Sequence, residues 1–550
     1  MRPFSTFWTI LVTPLANIMP NRSYFAYWIG GLSGNLGWQI QIVAASWLMV
    51  TLGASPIFVA LVQTSMALPV MLFSLPGGAI SDILGSRPIV LWSQAFLMMV
   101  AIILAGCAYA GILSPYSILL CTFLVGCGRA TYYAGWQAMV LELVEPAEVP
   151  RAVALNASNV NIARSLGPAI GGTIVAVWGA FAAFAVTALS NLAIIFVART
   201  WPKTRDASDI PLESLGGAIV AGVRYVALSP LLVVATFRSM IYNIGAVSAL
   251  ALLPLVARDM LDGGPLTYGV LLGAFGAGAV AGALSLDAVM RRTTVERLLA
   301  ASQLLAGAAT IALALSHDTA ASAGCAVIAG WAWTYVQVVF NSTIQLSSPR
   351  WVVGRSLAIY QAAIFGGNAL GSLIWGILTE KLDLRIALIA AAGVILAGAL
   401  IGLRLKMSRL SAGALDQTPH QISPVPKIEL DPHDGPIITS IAYRIREQDR
   451  ARFLNAMRKK RRHRMRDGAM RWTLSRDIHD PQLWFERYHV LSWADAQRLH
   501  ARRTVEAAQT NALIRSMHLG ADAPDVHYTL VSLPRSGAMP PQGPFQGLSV

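Results

Sequence analysis

Charge is scarce in this sequence. Only 13% of its 550 residues are Asp, Glu, Lys or Arg, against 55% hydrophobic, a balance that excludes an ordinary soluble protein of this length. Acid is the scarcer sign, 28 Asp and Glu against 42 Lys and Arg, and no acid sits near the middle of an apolar run. Cysteine is scarce as well. Cys107, Cys121, Cys127 and Cys325 all lie within apolar runs, at spacings that suit neither a disulfide framework nor a metal, and read as small apolar side chains. No Gly-x4-Gly-Lys-(Ser/Thr) sequence occurs, which argues against direct ATP hydrolysis, and no cofactor is expected. The early stretch "FWTILVTPLANIM" is broken by Pro14, lacks an Ala-x-Ala site and precedes Arg22, so it does not read as a signal peptide.

What the chain has in abundance is apolar runs of about 20 residues, the length that crosses ~30 Å of hydrocarbon at ~1.5 Å per residue. They predict an α-helical membrane protein with twelve transmembrane helices, at 24–51, 56–80, 88–110, 115–141, 154–178, 180–198, 230–257, 266–288, 296–316, 319–345, 355–379 and 384–405. Basic residues crowd the loops on one side, among them Arg87, Arg151, Arg199, Lys203, Arg291, Arg292, Arg355 and Arg404, whereas the other side has Arg258, Lys381 and Arg385. The excess of Lys and Arg marks the cytoplasmic side and puts both termini there. The net charge of +14 then belongs to inner loops and tail, and no nucleic-acid partner is required. The expected surroundings are the lipid bilayer and a small-molecule substrate.

"GAISDILGSRP" at 78–88 is nearly rewritten two hundred residues later as "GALSLDAVMRR". An offset of 204 carries Gly78, Ser81 and Arg87 onto Gly282, Ser285 and Arg291 and, without a gap, Arg151 onto Arg355 and Gly167 onto Gly371. The membrane part is therefore two six-helix repeats, 1–198 and 230–410, joined by a cytoplasmic linker at 199–229. Parallel halves with a site between them near the midplane are the architecture of alternating-access transporters.

Ionisable groups inside spans are costly and are functional candidates by default. Arg129, Arg164 and Arg238 stand out, and an anionic substrate would relieve such guanidinium groups by pairing two oxygens at once. The structural alternative has Arg129 and Arg164 bonding Glu142 or carbonyls freed by Pro168, and Arg238 reaching inward along its stem. Asn35, Gln39, Gln41, Asn243, Gln361 and Asn368 serve equally as path-lining groups or interhelical hydrogen bonds. Trp38, Tyr132, Tyr133 and Trp136 offer either stacking surfaces or packing. Proton coupling usually needs a buried titratable group, and Glu142, at the cytoplasmic end of the fourth span, is the best candidate.

These residues carry a family resemblance. "GGAISDILGSRP" resembles the loop signature of the major facilitator superfamily at Gly78, Asp82, Gly85 and Arg87, with Ile83 and Pro88 departing from its basic positions. That resemblance implies a gating latch on the cytoplasmic side, its acid facing a helix amino terminus. "ALNASNVNIARSLGPAIGGTIVAVWG" resembles the fifth-helix signature of drug-type antiporters at Gly167, Pro168, Gly171 and Gly172, where small residues allow close approach and proline allows a bend. With "LVEPAEVPRAVALN" and "SGNLGWQIQIVAASWLMV" the resemblance narrows to the transmembrane secretion effector branch, over about the first 410 residues. It implies efflux of a siderophore-like or drug-like compound across a bacterial inner membrane, and a cavity lined by the first and seventh helices, which brings Asn35, Gln39 and Asn243 forward.

Past Leu410 the character changes. A Pro- and Ser-rich linker, 411–435, leads to a β-α-β-β-α-β pattern at 436–534, which predicts a small ferredoxin-like α+β domain with a long helix over 493–517, and a disordered tail at 535–550. The domain resembles the dimeric α/β-barrel group that includes antibiotic-biosynthesis monooxygenases, which implies self-association through the C-terminal domain. Its basic run "RKKRRHRMR" is either a lipid-facing or a plainly solvated surface. No catalytic constellation is visible in it. Two functions stay open: an exporter carrying an accessory domain, or a membrane-tethered enzyme working through that domain.

Overall fold

In hydrocarbon every backbone polar group must be satisfied within the chain, and a helix does this locally. The structure, a computed structural model, describes residues 22–84, 86–143, 148–199, 215–349, 351–407, 426, 428–502, 504–519 and 523–531, and divides at residue 409 into two compact units. The first contains α1 (Arg22–Thr51), α2 (Pro56–Leu84), α3 (Ser86–Tyr109), α4 (Pro115–Leu143) and α5 (Val149–Arg199), then α6 (Leu215–Ala227). It continues with α7 (Pro230–Ala246), extended by short helical turns to Met260, and α8 (Pro265–Met290), α9 (Val295–Leu315), α10 (Thr319–Leu346), α11 (Val353–Lys381) and α12 (Leu384–Arg404).

Among the described residues nine helices are long and apolar enough to cross a membrane. Two more, α1 and α4, have the length, 30 and 29 residues, and interrupt their apolar runs with Asn35, Gln39 and Arg129. The 51-residue α5 breaks at Gly179, where φ is 77°, a backbone angle that favours glycine; two passes meet there. Counted in this way, the described residues make the twelve passes expected. The scarce acids serve helix amino termini: Asp318 and Asp383 accept backbone N–H bonds that cap α10 and α12. The segment read as a linker contributes α6, whose Tyr225 is buried and meets Trp351 edge-on at 5.5 Å.

The halves meet along two helix pairs that the 204-residue repeat relates. In one, α5 crosses α8 so closely that a methyl placed on Gly172 would lie 2.9 Å from the Cα of Gly269. In the other, Thr64 of α2 donates to the Ala369 carbonyl of α11 at 3.1 Å, and a methyl on Gly376 would lie 2.8 Å from Ala60. Chain direction gives the bundle a near end, with Arg22 and Arg404, and a far end, where α2, α8 and α12 begin. At the far end one apolar core joins both halves, with Val43, Val50, Val59 and Val62 packed among Val247, Leu252, Leu271 and Leu388. At the near end the described cores are separate. Tyr24, Tyr27, Trp28, Val90 and Trp136 form one within the first half, and Leu298, Tyr335, Phe340 and Tyr360 belong to another within the second.

The second unit has strands β1 (Ile437–Arg444), β2 (Met470–Arg476), β3 (Leu483–Val490) and β4 (Asp525–Leu530), with helices α13 (Arg450–Asp467), α14 (Trp493–Ala501) and α15 (Val505–Ser516). The sheet order is β2-β3-β1-β4 with every pairing antiparallel, the ferredoxin-like arrangement. The single helix expected over 493–517 is two, because Thr504 adopts an extended conformation and its hydroxyl accepts from Ala507 N–H to start a new helix. Alternating residues of β1 and β3 pack Ile437, Ile441, Tyr443, Trp484 and Tyr488 against Phe453 and Met457 of α13.

Glu486 is wholly buried within that core. Its carboxylate lies 3.0 Å from Lys460 and 3.5 Å from Arg464, and accepts from the Tyr443 hydroxyl at 2.8 Å and the Trp472 indole at 3.0 Å. Burial alone would raise this carboxyl; the charges of Lys460 and Arg464 outweigh burial and hold it down to about 2. Because the folded value lies below the unfolded one, the cluster stabilises the domain above the ordinary carboxylate range and loses that contribution as pH falls toward about 2.

Glu486→Ala leaves two cations buried without their counter-charge and is expected to destabilise the domain by ~3–5 kcal/mol. Thermal unfolding of the purified chain, followed by proteolysis of 436–531, checks this, and an unchanged midpoint would refute it. Gly276→Val addresses the bundle, since a Cβ at 276 sits 2.7 Å from the Cα of Ser165. Overpacking of this kind costs ~1–3 kcal/mol, and the expected readout is a lower melting temperature in detergent, while Gly324→Val, with open space around it, is expected to change little.

Candidate substrate-binding site

The fifth-helix signature works on two faces. Gly167 and Gly171 lie four residues apart and seat α1: added methyls would fall 2.6 Å from Gln39 Cβ and 3.0 Å from Ile40 Cα. Gly172 and the Pro168 carbonyl lie about 100° around the helix and seat α8 at Gly269. One helix thereby fastens its own half and grips the other. In the second half Gly367 and Gly371 of α11 play the first role against α7, beside Asn243 and Val247.

Around this crossing the middle of the bundle carries three polar groupings. In the first half Arg129 donates to the Asn35 side-chain oxygen at 3.3 Å, Asn35 to Asn159 at 3.0 Å, and Asn159 to the Trp28 carbonyl at 2.6 Å. The half-buried Arg129 guanidinium lies over two aromatic rings, 4.7 Å from the centroid of Trp38 and 5.2 Å from that of Tyr132. Between the halves, Arg164 of α5 lies 4.8 Å over the ring of Trp333 on α10. In the second half Asn243 and Gln337 exchange amide hydrogen bonds at 3.3 and 3.2 Å. The repeat relates these groups, since the offset of 204 carries Gln39 onto Asn243, Arg129 onto Trp333 and Arg164 onto Asn368.

Gln39, Gln361 and Asn368 are half-buried and make no side-chain hydrogen bond among the described residues, so their amides keep donor and acceptor capacity for a ligand. Arg238 and Trp136, each open to a ligand-facing or a structural reading in the sequence, make structural contacts. Arg238 is 2% exposed, and its Nη1 faces both carboxylate oxygens of Glu296 at 3.0 and 2.9 Å and the Leu405 carbonyl at 3.1 Å. Glu296 in turn accepts from Met407 N–H at 2.8 Å. This ties α7, α9 and the end of α12 at the near end. Arg238 is a structural ion pair here, because an acid that looks loop-proximal in sequence folds back onto it. Trp136 stacks on Tyr27 with centroids 3.8 Å apart and packs rather than faces a cavity.

Of the loop expected to act as a gate, Arg87 donates to the carbonyls of Ala198 and Arg199 at 3.1 and 2.8 Å, which caps the carboxyl end of α5 with a cation, as the helix dipole favours. Gly78 and Asp82 lie in α2 and Glu142 in α4, with the side chains of Asp82 and Glu142 outside the described residues, as is Gly85. A carboxylate the sequence did not single out does bridge the halves. Glu380, at the end of α11, accepts from the Ser55 hydroxyl at 2.9 Å and Ile57 N–H at 3.4 Å at the start of α2. Trp333 and Gln337 were also missed, being aromatic or amide residues of a span with no charge to mark them; the repeat offset from Arg129 would have found the first.

The comparisons with known proteins agree with this architecture. The family described as transmembrane secretion effector matches residues 12–536, so the match runs through the ferredoxin-like domain, past residue 410 where the sequence resemblance was expected to end. The multidrug efflux pump Tap of Mycolicibacterium fortuitum is 25% identical over 371 residues, 65% of this chain and 90% of that protein. The staphyloferrin A transporter of Staphylococcus aureus is 23% identical over 323 residues, 56% of this chain and 79% of that one. A solved nucleoside transporter, NupG, superposes with a TM-score of 0.55 at 11% identity, covering 70% of this chain and all of that one. An inward-facing bacterial homologue of the lysosomal transporter Spinster does so with 0.54 at 13%, covering 70% and 94%. The repeated halves, the two-faced glycine helix and the family match together show that the chain belongs to the transmembrane secretion effector family of the major facilitator superfamily and is a multi-pass membrane transporter.

Proposed function

We propose that this transporter exports a small anionic or amphiphilic organic compound across a bacterial inner membrane by alternating access, and that the described conformation opens at the near end. The observation that carries the reading is the asymmetry of the cores, shared at the far end and separate at the near end. With the basic loops in the cytoplasm, the near end is the cytoplasmic one, and the state accepts cargo from inside. At mid-depth, Arg129 among Trp38 and Tyr132, and Arg164 on Trp333, offer an anionic aromatic compound a charge-assisted bond beside a stacking surface. Gln39, Gln361 and Asn368 supply further hydrogen bonds. Because Arg164 and Trp333 belong to different halves, an anion that draws the guanidinium off the ring is felt by both halves at once. That is the differential contact a conformational change requires. The efflux in the name of the Tap relatives and the staphyloferrin A in the name of the staphylococcal one support the export of a small organic compound.

Three strains test the export reading: cells lacking the protein, cells carrying it, and cells carrying Arg164→Ala. An anionic aromatic metabolite is expected to accumulate inside the first and third and to be released by the second. Unchanged release of every compound by all three strains would sink the reading. Arg129→Ala is expected to keep the protein at normal abundance in the membrane and to lower export at least tenfold. Arg238→Ala leaves Glu296 unpaired and is expected to lower the abundance of folded protein instead, by ~3–5 kcal/mol of stability. Immunoblots of membrane fractions beside the export assay separate the two outcomes.

The far-end closure has its own test. Ser55→Cys combined with Glu380→Cys is expected to form a disulfide under mild oxidant and to arrest export until a reductant is added. Full export by the crosslinked protein would show that the halves need not part there.

A further inference from the structure

α13 is divided lengthwise into two unlike faces. Phe453, Ala456, Met457, Lys460, His463 and Arg464 are buried, the two cations among them matched by Glu486. Arg452, Arg458, Lys459, Arg461 and Arg462 are all exposed. Among the described residues none of these five forms an ion pair; Arg458 donates to Asn455 at 3.3 Å and Arg461 lies 5.9 Å over the ring of Trp472. Positions 452, 455, 458, 459 and 462 fall on one side of a helix with 3.6 residues per turn, and no acid interrupts the run from Arg450 to Arg466. Because the buried face is fixed by the core and by Glu486, the domain presents the basic stripe on a rigid element.

We propose that this stripe docks on anionic phospholipid head groups of the bilayer that holds the twelve passes. Guanidinium and ammonium groups pair with phosphate oxygens, and each basic residue near an anionic surface strengthens attachment roughly fivefold. The domain is joined to a membrane-spanning bundle by residues 411–435 of the same chain, so its encounter with the bilayer is intramolecular and needs little intrinsic affinity. Single-stranded nucleic acid is the less suited occupant, because it is held by aromatic platforms between the basic groups. This stripe has none of its own, and the neighbouring Trp472 ring lies under Arg461. The proposal does not depend on which compound the bundle carries.

The test uses the full chain in lipid nanodiscs, with a polarity-sensitive fluorophore on Asn455→Cys and the signal of the similarly treated parent chain subtracted. In discs of phosphatidylcholine and phosphatidylglycerol the emission is expected to shift to the blue relative to discs of phosphatidylcholine alone, and to shift back in about 0.5 M salt, where screening is strong. The triple variant Arg458→Gln, Lys459→Gln, Arg462→Gln is expected to lose most of the shift while its domain resists protease in detergent as the parent does. Emission that ignores lipid charge would overturn the proposal. So would a shift that survives both salt and the triple variant, or one produced by added RNA and not by phosphatidylglycerol.

Discussion

The close crossing of α5 and α8 is the contact on which the bundle turns. In a bilayer, apolar side chains gain little by leaving lipid for one another, so helices are held by packing, by hydrogen bonds and by backbones near enough for dispersion to add up. Gly172 and Gly269 bring two backbones to that distance, and the same helix uses Gly167 and Gly171 to seat α1. A single motif thereby couples the fold of one half to the position of the other. It also sets Arg164 at mid-depth, where the halves meet and Trp333 reaches it from α10.

Charge is distributed with the economy its scarcity demands. Arg238 has a carboxylate, Glu296, and together they pin the near end of the second half. Arg129 and Arg164 each lie over an aromatic ring, and Arg129 also donates into an asparagine chain that ends on a backbone carbonyl. Glu380, on the far rim, belongs to neither class: it bonds the first turn of α2 across the halves, where a negative group is favoured by the helix dipole.

The second unit follows the opposite logic, gathering charge inside. Glu486 draws Lys460, Arg464, Tyr443 and Trp472 around it, which orients α13 and leaves Arg452, Arg458, Lys459, Arg461 and Arg462 facing outward. The family match runs through this unit as well as the bundle.

Much of this was legible beforehand. Apolar runs of bilayer length announced the passes, and the 204-residue repeat the two halves, because each depends on composition at a local scale. Sequence alone also determined the ferredoxin-like order of strands and helices, since alternation and turn residues are local too. Partnership was not legible. Glu296 lies 58 residues from Arg238 and Trp333 lies far along the chain from Arg164, and nothing in their neighbourhoods names the other. The same holds for Glu380 and for the burial of Glu486, which sits in a strand where alternation predicts only that every second residue points inward. Local sequence thus determined which segments become helices or strands. Only the tertiary structure decided which carboxylate meets which cation, as Glu296 meets Arg238 and Glu486 meets Lys460, and at which end the halves share a core, because those outcomes depend on distances between segments the backbone does not connect.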